Sequence, residues 1–195
     1  MSVTNSKQIH DVYICSPGPC AQSSTEVMVP CLPPAPLSTA VITTDEYMGT
    51  WYFVAAAAWD EDDLKSFKIT DSSILHIQKD ANDTLTVTEN ARVGDQCQKN
   101  TWSYFALSVT GPFLFRTDFD AVALIWDGKL INCPSCIVIL LVDENEEVSA
   151  MLFARNENTA DEVIQAFKSK MECVYMEDFL KAPLKNGYCK LDEAA

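Results

Sequence analysis

The side chains with the greatest chemical potential in this chain of 195 residues are its eight cysteines. They are Cys15, Cys20, Cys31, Cys97, Cys133, Cys136, Cys173 and Cys189. An even number, spread along the whole chain without a repeated metal-ligand spacing, indicates disulfides and therefore an oxidising compartment.

Cys133-Pro-Ser-Cys136 has the C-x-x-C spacing of redox-active thiol pairs. That chemistry is typical of thioredoxin-like folds with a βαβ pattern, whereas the neighbouring residues here are strand-like. A zinc site built from this pair together with Cys15 and Cys20 has suitable ligand types. Because the compartment is oxidising, we interpret Cys133 and Cys136 as a structural disulfide or turn staple, and we expect no metal and no cofactor.

Other catalytic constellations do not assemble. The two histidines are His10, in a proline-rich lead-in, and His76, which alternates with apolar neighbours on a strand. No G-x-S-x-G motif is present, and no Ser-His-Asp or Cys-His arrangement can be built. The acidic run 60–63 lacks the alternating ligands and central glycine of an EF-hand loop. We expect a protein that is not an enzyme.

Charge narrows the possible partners. The chain has 28 acidic and 14 basic residues, a formal net charge of −14. This excludes the clustered basic surface that nucleic acids require and gives no attraction to anionic membranes. Hydrophobic residues make up 48% of the chain, enough for a sizeable core. No apolar run reaches the roughly 18 residues that span a bilayer, so we expect a soluble globular protein.

Between Trp51 and Arg155 the hydrophobic pattern has the period of two that is typical of strands. Eight short runs are separated by turn residues: 51–58, 74–79, 85–89, 101–109, 112–116, 121–126, 137–142 and 148–153. Short connections favour an all-β, eight-stranded antiparallel up-and-down barrel. A barrel of this size can hold one small ligand.

One helix follows the strands. Thr159 and Glu162 form a capping box, and Val163, Ile164, Phe167 and Met171 form one apolar stripe, so we expect the helix to pack outside the barrel. Six of the nine prolines precede residue 46, which predicts an irregular segment over 1–45. The domain then spans 46–189, with a tail over 190–195.

Gly49-Thr50-Trp51 opens the first strand and Arg155 ends the last one. These residues resemble the G-x-W signature and the partner arginine of lipocalins. Three further segments, Gly94–Cys97, Leu152–Arg155 and Glu172–Cys173, are similar, in order, to the orosomucoid (α-1-acid glycoprotein) and apolipoprotein M branch, which includes fish toxin-binding lipocalins. The resemblance covers roughly residues 31–189.

The resemblance implies that Arg155 lies across Trp51 at the closed end of a lipocalin barrel, with Gly49 beside them as a structural residue. A guanidinium against an indole ring is a cation–π contact. The resemblance also implies two disulfides, Cys31–Cys173 and Cys97–Cys189.

Strand alternation from Trp51 and Arg155 predicts which side chains face the barrel interior. The expected ligand-binding residues are Phe53, Ala55, Ala57, Leu114, Arg116, Val138, Leu140, Met151 and Phe153. The small Ala55 and Ala57 would leave room for a cavity.

Arg116 is the cation in this set, and the resemblance aligns it with an arginine that lines the pocket of orosomucoid. A cation inside a barrel needs a partner, so Arg116 either faces outwards or meets an acidic ligand group or a buried carboxylate. If it faces the interior, an anionic amphiphile should bind better than its neutral counterpart.

Together these features favour an extracellular carrier that binds a small hydrophobic or amphiphilic ligand, such as a lipid, steroid, toxin or xenobiotic, in the barrel. We expect a monomer, with association with a lipoprotein particle or a plasma protein as an additional possibility. The alternatives are a protein-binding immunomodulatory lipocalin and a lipid isomerase with a cavity thiol.

Secretion agrees with the cysteines and with one glycosylation sequon at Asn82. The segment Met1–Gln8 is polar and carries no apolar signal core. We expect that a signal peptide has been removed or lost from this sequence, the alternative being that the protein is not secreted.

Overall fold

The computed structural model describes residues 31, 33–80, 84–106, 108–118 and 120–189. The strands are β1 (Gly49–Ala58), β2 (Thr70–Lys79), β3 (Leu85–Val93), β4 (Gln96–Ala106), β5 (Leu114–Arg116), β6 (Ala121–Asp127), β7 (Cys136–Asp143), β8 (Val148–Ala154) and β9 (Asp178–Lys181). The α-helices are α1 (Thr39–Ile42), α2 (Lys65–Lys68) and α3 (Asp161–Glu172). None of the described helices is long and apolar enough to cross a membrane.

The first eight strands form a closed antiparallel barrel. Each strand from β2 to β8 pairs with its neighbour in sequence, and β1 pairs with both β8 and β2 and so closes the sheet. This confirms the predicted up-and-down architecture. The short strand β9 is added to the second half of β1.

A β-bulge in β1 changes which side chains face inwards. Phe53 pairs with Phe153, but Ala55 then pairs with Leu152, so one extra residue is inserted between them. The residues after the bulge exchange faces. Ala56 and Ala58 therefore belong to the barrel interior, while Ala55 and Ala57 pack on the outside.

Helix α3 packs on that outer face. Its buried side chains Ile164, Phe167 and Met171 share a hydrophobic cluster with Ala55, Ala57 and residues of β7 and β8. The predicted stripe is confirmed, but the predicted cap is wrong. The N-cap residue is Ala160, which makes no side-chain capping hydrogen bond. The Thr159 hydroxyl is buried and has no hydrogen-bond partner among the described residues.

The described part of the lead-in is more ordered than its prolines predicted. Thr39–Ile42 is a short helix, and Ile42 is buried in the barrel core. The Leu37 backbone N–H donates to the Ile125 carbonyl at 2.7 Å, and the Thr39 hydroxyl donates to the Gly111 carbonyl at 2.9 Å. The expectation of an irregular segment outside the core is therefore wrong for residues 39–42.

At the other end of the chain, residues 184–189 cross the outer face of β2 and β3. We call this segment the strap. The carboxylate of Asp71 accepts the backbone N–H groups of Lys185 and Asn186, both at 2.8 Å. Ser72 and Arg92 donate to the Gly187 carbonyl at 2.8 and 3.1 Å. Backbone N–H groups and a backbone carbonyl of the strap therefore both form hydrogen bonds with side chains of β2 and β3.

Three disulfides join the described cysteines. Cys31–Cys173 and Cys97–Cys189, with Cα–Cα distances of 5.5 and 5.8 Å, are the two pairings that the resemblance implied. Cys133 and Cys136 bond to each other, as expected for a turn staple between β6 and β7.

Candidate ligand-binding cavity

The closed end of the barrel is built around Trp51. The Arg155 guanidinium lies 3.6 Å from the centre of the Trp51 ring, and it donates to the Thr50 carbonyl at 2.9 Å and to the Glu46 carbonyl at 2.5 Å. The indole N–H of Trp51 donates to the Tyr47 carbonyl at 2.9 Å. Three elements therefore meet at one buried residue, and the contact that the resemblance implied is present.

Gly49 lies beside this site and has a φ of +89°, a backbone conformation that residues with a Cβ atom rarely adopt. A Cβ atom here would lie 3.5 Å from Nη1 of Arg155. The glycine of the G-x-W motif therefore lets the chain turn into β1 beside the guanidinium.

Opposite this end lies a cavity of about 460 Å³. Its wall includes apolar side chains from the strands together with Phe67 of α2, which stacks on Phe53 at 5.7 Å between ring centres. A further space of about 30 Å³ lies between the cavity and the closed end, lined by apolar and aromatic side chains such as Ile42, Leu75 and Ile77. The volume of the main cavity, about 460 Å³, lies within the range of small-molecule binding sites.

Four of the nine predicted ligand-binding residues line the cavity: Phe53, Arg116, Met151 and Phe153. Leu114 is buried in the barrel core but is not part of the cavity wall. That these residues contact a ligand stays a prediction.

The other four positions were predicted wrongly, since Ala55, Ala57, Val138 and Leu140 lie on the outer face of the barrel. The bulge explains the two alanines. In β7, Ile139 pairs directly with Met151, and directly opposed residues share one face of a sheet. With Met151 inside, Ile139 is inside as well, and Val138 and Leu140 must face outwards.

Several wall residues were missed in the sequence. Trp102 and Tyr104 alternate along β4 and are both nearly buried, so extending the alternation argument to that strand would have found them. The indole N–H of Trp102 is buried, and among the described residues no acceptor meets it in hydrogen-bond geometry, so Trp102 contributes an unpaired donor to this part of the wall. Phe67 carries no comparable signal, because it enters the cavity from the connection between β1 and β2.

Arg116 faces the cavity but is paired there. Its Nε and Nη2 donate to the two carboxylate oxygens of Asp118 at 2.5 and 2.6 Å, and the guanidinium lies 3.9 Å from the centre of the Trp102 ring. Burial raises the pKa of the neighbouring Tyr104 phenol, although the Arg116 charge acts in the opposite direction. Of the alternatives expected for Arg116, pairing with a carboxylate is therefore the one observed. The expected carboxylate was a buried one, whereas Asp118 is partly exposed.

Glu89 is a charged wall residue that side chains of the neighbouring strands hold in place. One of its oxygens accepts the Ser73 hydroxyl at 2.7 Å, and the other accepts the Asn100 amide at 3.1 Å. These donors come from the strands on either side, since Glu89 lies on β3 between β2 and β4. Asp63, Asp143 and Glu147 add further carboxylates to the cavity wall.

Comparison with known protein families decides the assignment. The model of the ApoM domain matches residues 28–193, most of the chain. The chain belongs to the ApoM domain family, a branch of the lipocalins. It is similar to apolipoprotein M of Rattus norvegicus, with 24% identity over 151 residues, covering 76% of this chain and 78% of the relative.

Apolipoprotein M of Mus musculus is similar at 22% identity over 152 residues, with the same coverage of 76% and 78%. Among solved structures, the siderocalin Ex-FABP, described as functioning through dual ligand specificities, aligns with a TM-score of 0.60 at 18% identity. The alignment covers 71% of this chain and 95% of that protein, which shows the shared lipocalin fold.

Within this ApoM domain, every described cysteine belongs to a disulfide. The part of the chain that the structure describes therefore contains no cavity thiol of the kind that an isomerase would need. Nor do three or more potential metal ligands cluster among the described residues. Cys15, Cys20, His10 and Asn82, on which other expectations depend, lie outside the described residues.

Proposed function

We propose that the protein binds one small hydrophobic or amphiphilic molecule inside the barrel and carries it in an extracellular setting. The observation that carries the proposal is the cavity of about 460 Å³, with a wall of apolar side chains such as Phe53, Met151 and Phe153, on the side away from the plugged end. Burial of apolar ligand surface there contributes roughly 25 cal/mol per Å².

The extracellular setting is supported by the three disulfides, because such bonds persist in oxidising compartments. A binding role is favoured over catalysis because the described residues offer no thiol or catalytic histidine in the cavity. The name of the rodent relatives favours association with lipoprotein particles as a further part of the proposal.

The proposal predicts that a larger side chain in the cavity weakens binding. Met151 lies in the cavity wall, so Met151→Trp should occupy the space and weaken binding of the neutral probe N-phenyl-1-naphthylamine by about tenfold or more, equivalent to 1.4 kcal/mol. Probe fluorescence gives the dissociation constant, and circular dichroism checks that the variant is folded.

Phe105→Trp is the matched control, because Phe105 lies on the outer face of β4 and is 42% exposed. This variant should bind the probe like the wild type. Equal affinity in both variants would place the bound probe outside the barrel. Failure of the wild type to bind any neutral apolar probe, beside tight binding to a protein partner, would favour the immunomodulatory alternative.

A further inference from the structure

Asn186 and Gly187 lie at an exposed bend in the strap, and they form the one Asn-Gly pair in the sequence. The backbone nitrogen that follows an asparagine can attack the side-chain amide carbon of that asparagine, because the bond closes a five-membered ring. A glycine at the second position favours the attack, since it has no Cβ atom to shield its nitrogen. The strap therefore contains the residue pair that this reaction requires.

The structure leaves the reacting groups of this pair accessible. Both residues are exposed, and a Cβ atom placed on Gly187 would meet no atom within 4 Å. Among the described residues, no acceptor binds the Gly187 N–H, and no hydrogen bond holds the side-chain amide of Asn186. Neither group therefore has to leave a protein partner before the attack.

The reaction needs only these two residues and water. The backbone nitrogen of Gly187 loses its proton to hydroxide or water and bonds to Cγ of Asn186. The side-chain amide nitrogen takes up a proton and leaves as ammonia. Water then opens the cyclic imide at either carbonyl carbon, which gives aspartate with the original backbone or isoaspartate with a backbone lengthened by one methylene group. Both products carry a carboxylate in place of a neutral amide.

The new carboxylate would arise in the segment that the Asp71 side chain holds. Asp71 is 7% exposed, and its carboxylate accepts two backbone N–H groups of the strap at 2.8 Å, one of them that of Asn186 itself. A negative charge on residue 186 repels this carboxylate. The lengthened backbone of isoaspartate also displaces Gly187, whose carbonyl is bonded to Ser72 and Arg92. Both products therefore weaken the hydrogen bonds that hold the strap.

The face that the strap crosses also contains a polar group that lacks a partner. Asn90 lies two residues before Arg92 on the same face of β3, because side chains alternate along a strand. Asn90 is fully buried, and neither its amide nitrogen nor its amide oxygen has a hydrogen-bond partner among the described residues. A buried polar group without a partner is unfavourable, so access of water to Asn90 would offset part of the cost of opening the strap.

We propose that the Asn186-Gly187 pair is a site of spontaneous deamidation, and that its conversion to aspartate and isoaspartate loosens the strap. The Cys97–Cys189 disulfide fixes the end of the strap to β4, so the modified segment stays attached. This inference goes beyond ligand binding, because the strap crosses the outer face of the barrel and contributes no residue to the cavity wall. The extent of the modification increases with the age of each molecule.

The first experiment incubates the wild-type protein at pH 6 and at pH 8 and measures deamidation by peptide mass spectrometry. Asn186 should be converted, and faster at pH 8, because the attacking nitrogen must lose its proton. Asn145 is the control within the same molecule, because it is also exposed but is followed by Glu146, whose side chain shields the attacking nitrogen. Conversion of Asn186 that is absent, or no faster than that of Asn145, would overturn the inference.

Hydrogen exchange tests the effect on the strap. In Asn186→Asp, which reproduces one of the products, the backbone amides of residues 184–189 should exchange about tenfold faster than in the wild type, equivalent to 1.4 kcal/mol. The amides of β6 and β7 should keep their rates. Asn186→Gln keeps a neutral amide, and its ring closure would need a less favourable six-membered ring, so incubation should leave its strap exchange unchanged. Wild-type rates in Asn186→Asp, or an equal acceleration throughout the barrel, would contradict the proposed loosening of the strap.

Discussion

Trp51 connects three parts of the chain at the closed end of the barrel. Its ring lies under the Arg155 guanidinium, its indole N–H reaches the Tyr47 carbonyl, and its side chain is 3% exposed. It lies outside the cavity wall. Its contribution should therefore appear in the free energy of unfolding and not in ligand affinity.

Accordingly, Trp51→Ala should lower the free energy of unfolding by about 3 to 5 kcal/mol, the range for deletion of a large buried aromatic side chain. Urea unfolding measures this value, and probe titration at low denaturant should show an affinity close to that of the wild type. Trp59→Ala is the control, because Trp59 is 56% exposed, and its loss should be about 1 kcal/mol or less. A stable Trp51→Ala variant that no longer binds the probe would assign Trp51 to the ligand site instead.

Other single residues show the limit of sequence reasoning at this scale. Trp51 and Arg155 could be placed because their motif resembles a known pair. The partner of Arg116 could not, because Asp118 approaches it across a turn whose backbone conformation no local pattern specifies. That turn decides which partner Arg116 already has when a ligand enters the cavity. That an anionic amphiphile binds better than its neutral counterpart stays a prediction.

At the scale of elements, the alternation of apolar and polar residues predicted the eight strands, but it did not predict correctly which side of the barrel every residue faces. Phe153 and Met151 were assigned correctly because β8 is regular, whereas Ala55 and Ala57 were not, because one inserted residue in β1 reverses the phase. No side-chain pattern marks the insertion, since every residue from Phe53 to Ala58 is buried. Only the pairing with β8, in which the register shifts between Phe53 and Ala55, makes the bulge visible.

The strap is the element whose contribution depends most clearly on pH. The Tyr188 hydroxyl donates to the Phe53 carbonyl at 3.3 Å, and its ring packs edge-on against Tyr52 at 4.9 Å between centres. Burial raises the pKa of Tyr188 from 10.0 to about 12, and Glu157 and Tyr52 act in the same direction. The folded protein thus favours the neutral phenol.

A raised pKa means that this stabilisation is fully present below pH 10 and is lost as pH rises towards about 12. Tyr188→Phe cannot ionise, so its free energy of unfolding should fall less steeply over that interval than that of the wild type. Urea unfolding at a series of pH values measures both slopes. Tyr175→Phe, at a residue 81% exposed, should retain the wild-type slope, and an unchanged slope in Tyr188→Phe would contradict the assignment.

The whole molecule combines a barrel closed at one end with disulfides that fix its outer segments. Cys31–Cys173 ties the lead-in to the end of α3, and Cys97–Cys189 ties the strap to β4. In the chain-entropy model, cross-links over such long separations contribute about 4 to 5 kcal/mol each. Both disulfides therefore stabilise the folded barrel relative to the unfolded chain.

The central claim is that this cavity carries a small molecule, and native mass spectrometry of the protein purified from its own source tests it most directly. We expect one small-molecule adduct per chain, released by organic extraction and identified as a hydrophobic or amphiphilic molecule. Recombinant Met151→Trp, incubated with the extract, should not regain the adduct. A wild-type protein that shows only the mass of the bare chain, and that takes up nothing from the extract, would contradict the account.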